Sequence, residues 1–600
     1  INFLLMNIDL TLREAIQHQL QNLFGKQAEH LQIQPTNPEF EGSHTLVCFS
    51  LTKISGKNPE ETAKRIGEAL VQQNSIVAGF NVVKGFLNLI IKDNAWLQVL
   101  QQLAGKTQYG QLPKNGKEIM IEYSSPNTNK PLHLGHLRNN FLGWSVAEIY
   151  KANGYKVHKV QIINDRGIHI CKSMAAWKLY GNGETPKTSG IKGDHLVGKY
   201  YVVFDKQHKI EMQALISKGL TEEEAQKQTP IMREAIDMLR KWEYRDPDTL
   251  QLWKTMNAWV YAGFDETYKK MGVDFDKLYY ESNTFLLGKE QVITGLEKGV
   301  FFKKEDGSVW VDLTPDGLDQ KVLLRSDGTS VYMTQDIGTA ILRFHDFPNI
   351  EGQVYTVGNE QEYHFKVLFL ILQKLGYDWA KQCYHLSYGM VDLPTGKMKS
   401  REGTVVDADD LIAEMVAEAK TQTLELGKTD ELSQEEAEQL FQMIGLGALK
   451  FFLLKIDPKK RMLFDPNESI QLQGFTGPFI QYTHARIQAI LRKANQLSIE
   501  INTNKIGEVT QLEPIEKTLI FVLSNFENKL AEAAKDYSPA IIANYVYEVA
   551  KTYNQFYQTI SIFQEADQVK LQLRIVVSKL VAHVLKKSMH ILGIQVPERM

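Results

Sequence analysis

At 600 residues, with 68 Lys plus Arg against 71 Asp plus Glu, the chain is too long for one domain and too evenly charged either to announce or to exclude a nucleic-acid partner. Apolar residues make up 43% and charged residues 23%, and no apolar run approaches the roughly 18–20 residues of a bilayer span, so a membrane-spanning helix is not expected. Cys48, Cys171 and Cys383 stand far apart with no Cys-x-x-Cys or Cys/His cluster, which rules out a disulfide scaffold, argues against zinc and predicts a reducing, cytoplasmic setting.

Residues 1–112 read as a small α+β domain. Thr11 to Glu14 has the form of a capping box, Leu12, Ile16 and Leu20 follow at helical spacing, and Gly25 is a stop. Residues 44–51 read as a strand. Asn58-Pro59-Glu60-Glu61 places a cap, a first-turn proline and two acids, and 86–91 reads as another strand. Residues 111–118 form a linker. A different rhythm then starts: a strand at 119–125, a helix at about 135–152 and a strand near 157–163 make one βαβ unit. The rhythm returns with strands at 330–333, 353–357 and 385–390 and helices near 337–344 and 361–375. Two separated α/β halves predict a Rossmann-like, doubly wound parallel sheet over 113–406, interrupted by an insertion at about 175–320. From 407 the strands stop. Helices near 409–425, 434–454, 468–496, 515–536, 539–560 and 566–592 predict a helical stem over 407–460 and an all-helical bundle over 461–600. Tyr545, Val549, Tyr553 and Phe556 form a stripe best read as core.

The sharpest motif is His133-Leu134-Gly135-His136, between a predicted strand and the start of a helix. Chance supplies roughly 0.03 occurrences of His-x-Gly-His in a chain of this composition. A helix N-terminus offers N–H groups to phosphate, the glycine lets a flat group approach, and two imidazoles can donate as charge develops on a leaving pyrophosphate. The plainer reading is two histidines capping a helix end. A second motif runs from Gly396 through Lys397, Met398, Lys399, Ser400 and Arg401 to Gly403, a basic loop able to neutralise a triphosphate. Alone it is equally a solvated loop. Set after the second α/β half, it would clamp a nucleotide opposite the histidines.

These motifs, with 121–139, 161–169, 324–340, 474–493 and the C-terminal 592–600, resemble the arginyl branch of the class I aminoacyl-tRNA synthetases along nearly the whole chain. The resemblance implies an arginine–tRNA ligase that forms arginyl-adenylate from L-arginine and ATP with Mg2+, releases pyrophosphate, and passes the arginyl group to the terminal ribose of its tRNA. It implies no zinc, no protein-side-chain metal site and a monomer. His133, Gly135 and His136 would contact ATP, and Lys397, Met398, Lys399, Ser400 and Arg401 its phosphates. The loop departs from the usual Lys-Met-Ser-Lys-Ser: Lys399 replaces the first serine and Ser400 the second lysine, so either Lys130 or Lys399 supplies the missing charge. Glu122, Asn127, Tyr332, Asp336 and Gln361 would line the arginine site, with two acids for the guanidinium. Tyr482, Arg486 and Met600 would meet the anticodon, and the 1–112 domain the corner of the tRNA. A different class I synthetase, a small-molecule nucleotidyltransferase and an RNA-binding paralogue without catalysis remain as alternatives.

Overall fold

The structure is a computed structural model that describes residues 8–37, 39–74, 76–393, 406–425, 432–499 and 501–600. The N-terminal unit is an antiparallel sheet, order β1-β2-β4-β3, made of β1 (Ile33–Pro35), β2 (His44–Val47), β3 (Val77–Val83) and β4 (Phe86–Ile91). Asn58 caps the helix Pro59–Gln73 by accepting from the Glu61 amide at 2.8 Å, as the sequence predicts. The Thr11 cap is not there. The first described helix runs Ile8–Phe24, so Thr11 lies inside it, while Gly25 does end it with φ +68°. The strand read over 44–51 stops at Val47, and Phe49–Leu51 turns as a 3-10 segment.

The central sheet is all parallel. It holds β5 (Glu118–Glu122), β6 (Lys156–Ile163), β7 (Lys277–Tyr280), β11 (Ile350–Gly358) and β12 (Cys383–Tyr388) in the order β12-β11-β5-β6-β7. The order reverses at β5, so the crevice between β5 and β11 is the topological switch point where such sheets bind ligands. A Cβ on Gly143 would fall 2.3 Å from Tyr123 Cβ, so the helix Leu134–Ala152 sits this close to the end of β5 only because Gly143 has no side chain.

Four expectations need correction. The span read as an insertion contributes the edge strand β7, held by pairing with β6. The rest of it is helical from Pro186 to Met271, followed by a small antiparallel sheet of β8 (Phe301–Lys303), β9 (Val309–Val311) and β10 (Lys321–Leu324). Residues 330–333 are not a strand, because Tyr332 already starts the helix Tyr332–Asp346. The long helices at 468–496 and 515–536 are each broken: Thr476 caps a fresh start for Gly477–Gln496, and Asn525 separates Pro514–Ser524 from Phe526–Lys535. Finally, the helix Gln434–Leu454 is long and apolar enough to cross a bilayer by composition, but 67% of its apolar window is buried in the protein, which makes it a core helix of the stem.

The stem and bundle grip the sheet through the helix Leu134–Ala152. Ser145 Oγ donates to Ile591 O at 2.9 Å, and the buried Lys450 Nζ donates to Gly593 O at 2.5 Å. Arg138, fully buried on the same helix, donates to five carbonyls, among them Gly389 at 2.8 Å and Lys460 at 2.9 Å. The short strands β13 (Val391–Asp392) and β14 (Met462–Leu463) pair beside it. The bundle also holds the N-terminal unit, through Lys106 to Glu527 at 2.9 Å and Lys517 to Asp93 at 2.7 Å. The Tyr545 stripe is core, each member at most 2% exposed.

Candidate active site

His133 is the N-cap of the helix Leu134–Ala152, and its Nδ1 accepts from the Gly135 amide at 3.2 Å. His136 returns the bond, its Nδ1 accepting from the His133 amide at 3.1 Å. The two rings lie 3.9 Å apart, centre to centre. The capping reading and the functional reading are therefore compatible. Because the cap uses Nδ1, each neutral ring carries its proton on Nε2 and offers that N–H as a donor. Burial, reinforced by the Lys130 cation, drives His133 down to about 4 and His136 well below the usual imidazole range. Lys130 is itself lowered by burial.

The backbone amides of this first turn are not available to phosphate, contrary to the sequence expectation. Leu134 N donates to Val406 O at 3.0 Å, Gly135 N to His133 Nδ1, and His136 N to His133 O at 2.7 Å. The donors at this helix end are the side chains. Lys397, Met398, Lys399, Ser400 and Arg401 lie outside the described residues. The segments on either side of them are described, and both are tied to the histidine helix. Arg138 binds the Gly389 and Met390 carbonyls on one side; on the other, Val406 O takes Leu134 N, and Ala408 N donates to Leu132 O at 3.0 Å.

Asp407 begins the helix that follows. Its Oδ1 accepts from the amides of Asp409 at 2.8 Å and Asp410 at 3.1 Å, and its Oδ2 lies 3.0 Å from His195 Nε2. Asp194, His195 and Asp409 are close enough together to suggest a metal site. The Lys192 ammonium already fills that role, 2.6 Å from Asp409 and 3.0 Å from Asp194.

Across the switch point lies an acidic wall. Glu122, at the end of β5, is 5% exposed, and its Oε2 is held by Arg343 Nη1 and by Gln353 Nε2, the latter at 3.3 Å. Burial raises the Glu122 carboxyl, Arg343 opposes that, and Asp336 adds to it. The carboxylate expected to await a substrate guanidinium thus already carries one from the protein, because the helix Tyr332–Asp346 turns Arg343 inward beneath β5. Asp336 is on the same helix, half-exposed, with Oδ2 2.6 Å from His364 Nε2. Tyr332, one turn earlier, is 76% exposed. Gln361, exposed, immediately precedes the helix Glu362–Lys374 that carries His364. Asn127, also exposed, bridges to Asn164 beside Asp165. Asp165 is spent on structure: it accepts from Ser282 N at 2.8 Å, Ser282 Oγ at 2.7 Å and Tyr261 at 2.9 Å. Those bonds fix Glu281, which burial pushes up to about 7, with Asp165 and Asp336 as neighbouring anions and Arg166 opposing. Glu281 and Arg343 were not anticipated. Glu281 follows β7 at a strand end much as Glu122 closes β5, and Arg343 stands two turns from Asp336 on one helix face.

In the bundle, the Arg486 guanidinium lies 4.7 Å from the Tyr482 ring and 5.2 Å from that of Tyr557, and it bonds Asn554 Oδ1. The C-terminal tail runs along the helix Gly477–Gln496, held by His484 to Pro597 O at 2.9 Å and Arg492 to Glu598 O at 2.9 Å; it ends in a partly buried Met600.

Three family models match in chain order: the arginyl tRNA synthetase N-terminal domain over 10–91, the class I (R) tRNA synthetase catalytic domain over 98–465, and the DALR anticodon-binding domain over 480–600. The arginine–tRNA ligase of Bacteroides thetaiotaomicron is 57% identical over 599 residues, 99% of this chain and 100% of that one. The ligase of Flavobacterium psychrophilum is 55% identical, with 99% of this chain and 100% of its own covered. The arginyl-tRNA synthetase of Thermus thermophilus superposes with a TM-score of 0.78 at 24% identity, covering 99% of this chain and 100% of that structure, a likeness of fold. With the switch-point crevice, the paired histidines and three matched domains in order, the chain belongs to the arginyl-tRNA synthetase family of class I arginine–tRNA ligases.

Proposed function

We infer that this chain charges tRNA with arginine in two steps at the β5/β11 switch point. The arginine carboxylate attacks the α-phosphate of ATP, which forms arginyl-adenylate and releases pyrophosphate; the terminal ribose of the tRNA then takes the arginyl group. One observation carries the reading: the described flanks of the basic loop, at 389–390 and 406–408, are both bonded to the helix that His133 and His136 cap. Loop and histidines therefore serve one nucleotide.

No side chain acts as a nucleophile; alignment and charge stabilisation do the work. The neutral imidazoles donate Nε2–H to phosphate oxygens and gain strength as pyrophosphate leaves. Lys130, beside them, supplies the cation that the loop lacks at Ser400, while Lys397, Met398, Lys399, Ser400 and Arg401 bind the ATP phosphates. Mg2+ enters with ATP, held by phosphate oxygens and water. Glu122 and Asp336 take the substrate guanidinium, with Glu281 beside them and Tyr332, Asn127 and Gln361 as polar partners at the rim. Tyr482, Arg486 and Met600 receive unstacked anticodon bases. The N-terminal domain (1–112) touches the tRNA body, the catalytic domain spans 113–406, the stem 407–460 and the anticodon domain 461–600. The enzyme works as a cytoplasmic monomer and needs no zinc.

Charging of total tRNA with each of the natural amino acids separately tests this. Arginine alone should be esterified, in an ATP-dependent reaction. Charging with another amino acid and not with arginine overturns the reading.

A further inference from the structure

Lys450, on the stem helix Gln434–Leu454, is 3% exposed and lies where three other elements meet. Two of them end there in glycines with left-handed backbone: Gly272 closes the helix Pro247–Met271 with φ +67°, and Gly593 follows the last helix, Gln568–Ile591, with φ +70°. A Cβ on Gly272 would stand 3.6 Å from Lys450 Nζ and one on Gly593 3.2 Å from it, so the amino group is packed against both helix ends. Such ends carry unpaired carbonyls and the negative pole of the helix dipole. The third element is the histidine helix, which sets the Phe141 ring 5.3 Å from Nζ and Trp144 against Gly593. No carboxylate pairs with Lys450 among the described residues; Glu148 and Asp274, on the elements around it, pair with Lys151 and Lys159. Burial alone brings its ammonium down to about 7. An apolar side chain of the same length would fill this space at lower cost, so what the nitrogen adds is its bond to Gly593 O and its hold on the two helix ends.

We propose that Lys450 is a positioning residue for tRNA recognition: from the stem it clamps the root of the C-terminal tail, and through the tail Met600, in place against the helix that carries the paired histidines. The proposal rests on the anticodon reading of Met600 given above. Gly593 is where the tail leaves the last helix. Beyond it the tail is held by Gln481, whose Nε2 donates to Gln595 O at 2.8 Å and to Met443 O on the stem helix at 3.0 Å, and then by His484 and Arg492. One turn before it, Ile591 O is bound by Ser145 of the histidine helix. Lys450 thus closes a triangle of stem, histidine helix and tail. Without its nitrogen the tail keeps its contacts to the helix Gly477–Gln496 but loses its fixed origin, and Met600 shifts with it. The cap of the histidine pair and the Arg138 bonds do not pass through Lys450, so the loss falls on tRNA binding and not on the chemistry.

The test is a double-mutant cycle on arginine charging, with the KM for tRNA as the readout. Lys450→Met fills the same space without the nitrogen and buries no charge. It should raise the KM for tRNA about tenfold, while kcat at saturating tRNA and the KM values for ATP and arginine stay within about twofold. Met600→Ala should raise the KM for tRNA by about the same factor, the size of one lost base contact. If Lys450 acts through the tail, the double variant is no worse than the weaker-binding single one; independent sites would multiply to about a hundredfold. A multiplicative double variant overturns the proposal, as does an unchanged KM for tRNA in Lys450→Met. So does a fall in kcat with all three KM values rising together, which is the mark of a merely structural lysine. Should the methionine variant not fold, the same cycle with Lys450→Gln, which keeps an N–H donor on a shorter chain, is read by the same outcomes. A Met600→Ala enzyme with the wild-type KM for tRNA sinks the anticodon reading of the tail, and this proposal with it; a weakened Met600→Ala with an unaltered Lys450→Met sinks this proposal alone.

Discussion

On the nucleotide side of the crevice, burial strips charge from His133 and His136; on the amino-acid side, burial works against the charge on Glu122 and a protein guanidinium works for it. Both walls stand at the same crevice of the parallel sheet. The difference lies in the partner each wall meets. A triphosphate brings its own negative charge, so the wall facing it needs donors; neutral imidazoles locked by their Nδ1 cap provide them without like-charge crowding next to Lys130. An arginine side chain brings a cation, so the facing wall needs carboxylates that stay ionised, and each buried one needs a counterweight.

The largest expected effect breaks the nucleotide wall. His136→Ala removes an Nε2 donor and the returning cap bond to the His133 amide. Loss of one such donor costs about 2.7–4 kcal/mol, or 10²–10³-fold in kcat for pyrophosphate exchange. The cap adds about 1 kcal/mol of lost stability, visible as a lower melting temperature. The KM for arginine should barely change, because the acidic wall is untouched. Exchange at the wild-type rate would remove the histidine pair from the chemistry.

The acidic wall is tested by Asp336→Asn, which keeps the shape and deletes one charge. Replacing a charged partner of a guanidinium with an amide costs about 1.5–3 kcal/mol, so the KM for arginine should rise roughly 10- to 150-fold while that for ATP holds. Comparable losses for both substrates would mean that Asp336 holds the helix rather than the ligand.

Much of this contrast was legible in the residues, and the limits are instructive. The histidine motif could be placed at a helix start because His133 and His136 carry their own cap in the local sequence. Asn58 was legible for the same reason. Strand β7 was not: Lys277–Tyr280 is four residues in a helical span, and only its pairing with β6, more than a hundred residues earlier, makes it a strand. Missing β7 meant missing Glu281 at its end. The residues at 330–333 misled in the other direction, since β-branched and aromatic types favour a strand until packing beneath β11 starts a helix at Tyr332. Arg343 was invisible for a third reason. An arginine near the end of an amphipathic helix reads as a surface cation, and only its pairing with Glu122 at the end of β5 draws it inside. The break at Thr476-Gly477-Pro478 could have been read from the sequence, because a cap followed by a second-position proline is a local signal.

The smallest effect concerns the link between the two walls' scaffolds, where Asp407 joins the histidine segment to the insertion helix through His195. Asp407 is the leading cause of a raised His195 pKa. The sign follows from linkage: a histidine whose folded pKa lies above its unfolded value of about 6.5 contributes stability that is fully present below that value and is lost as pH rises through the folded one. His195 is 31% exposed, so solvent screening limits the pair to roughly 0.5 kcal/mol. His195→Gln should therefore melt lower than the wild type at pH 6, by about 1 °C, and the two curves should converge as the pH is raised well above the unfolded value of about 6.5. The KM for ATP should follow the same course, rising slightly at pH 6 and matching at the higher pH, because the Asp407 backbone pairs with His133 in both forms. A deficit equal at both pH values would mean that His195 contributes packing and not charge, and Asp407 would then be only the cap of its own helix.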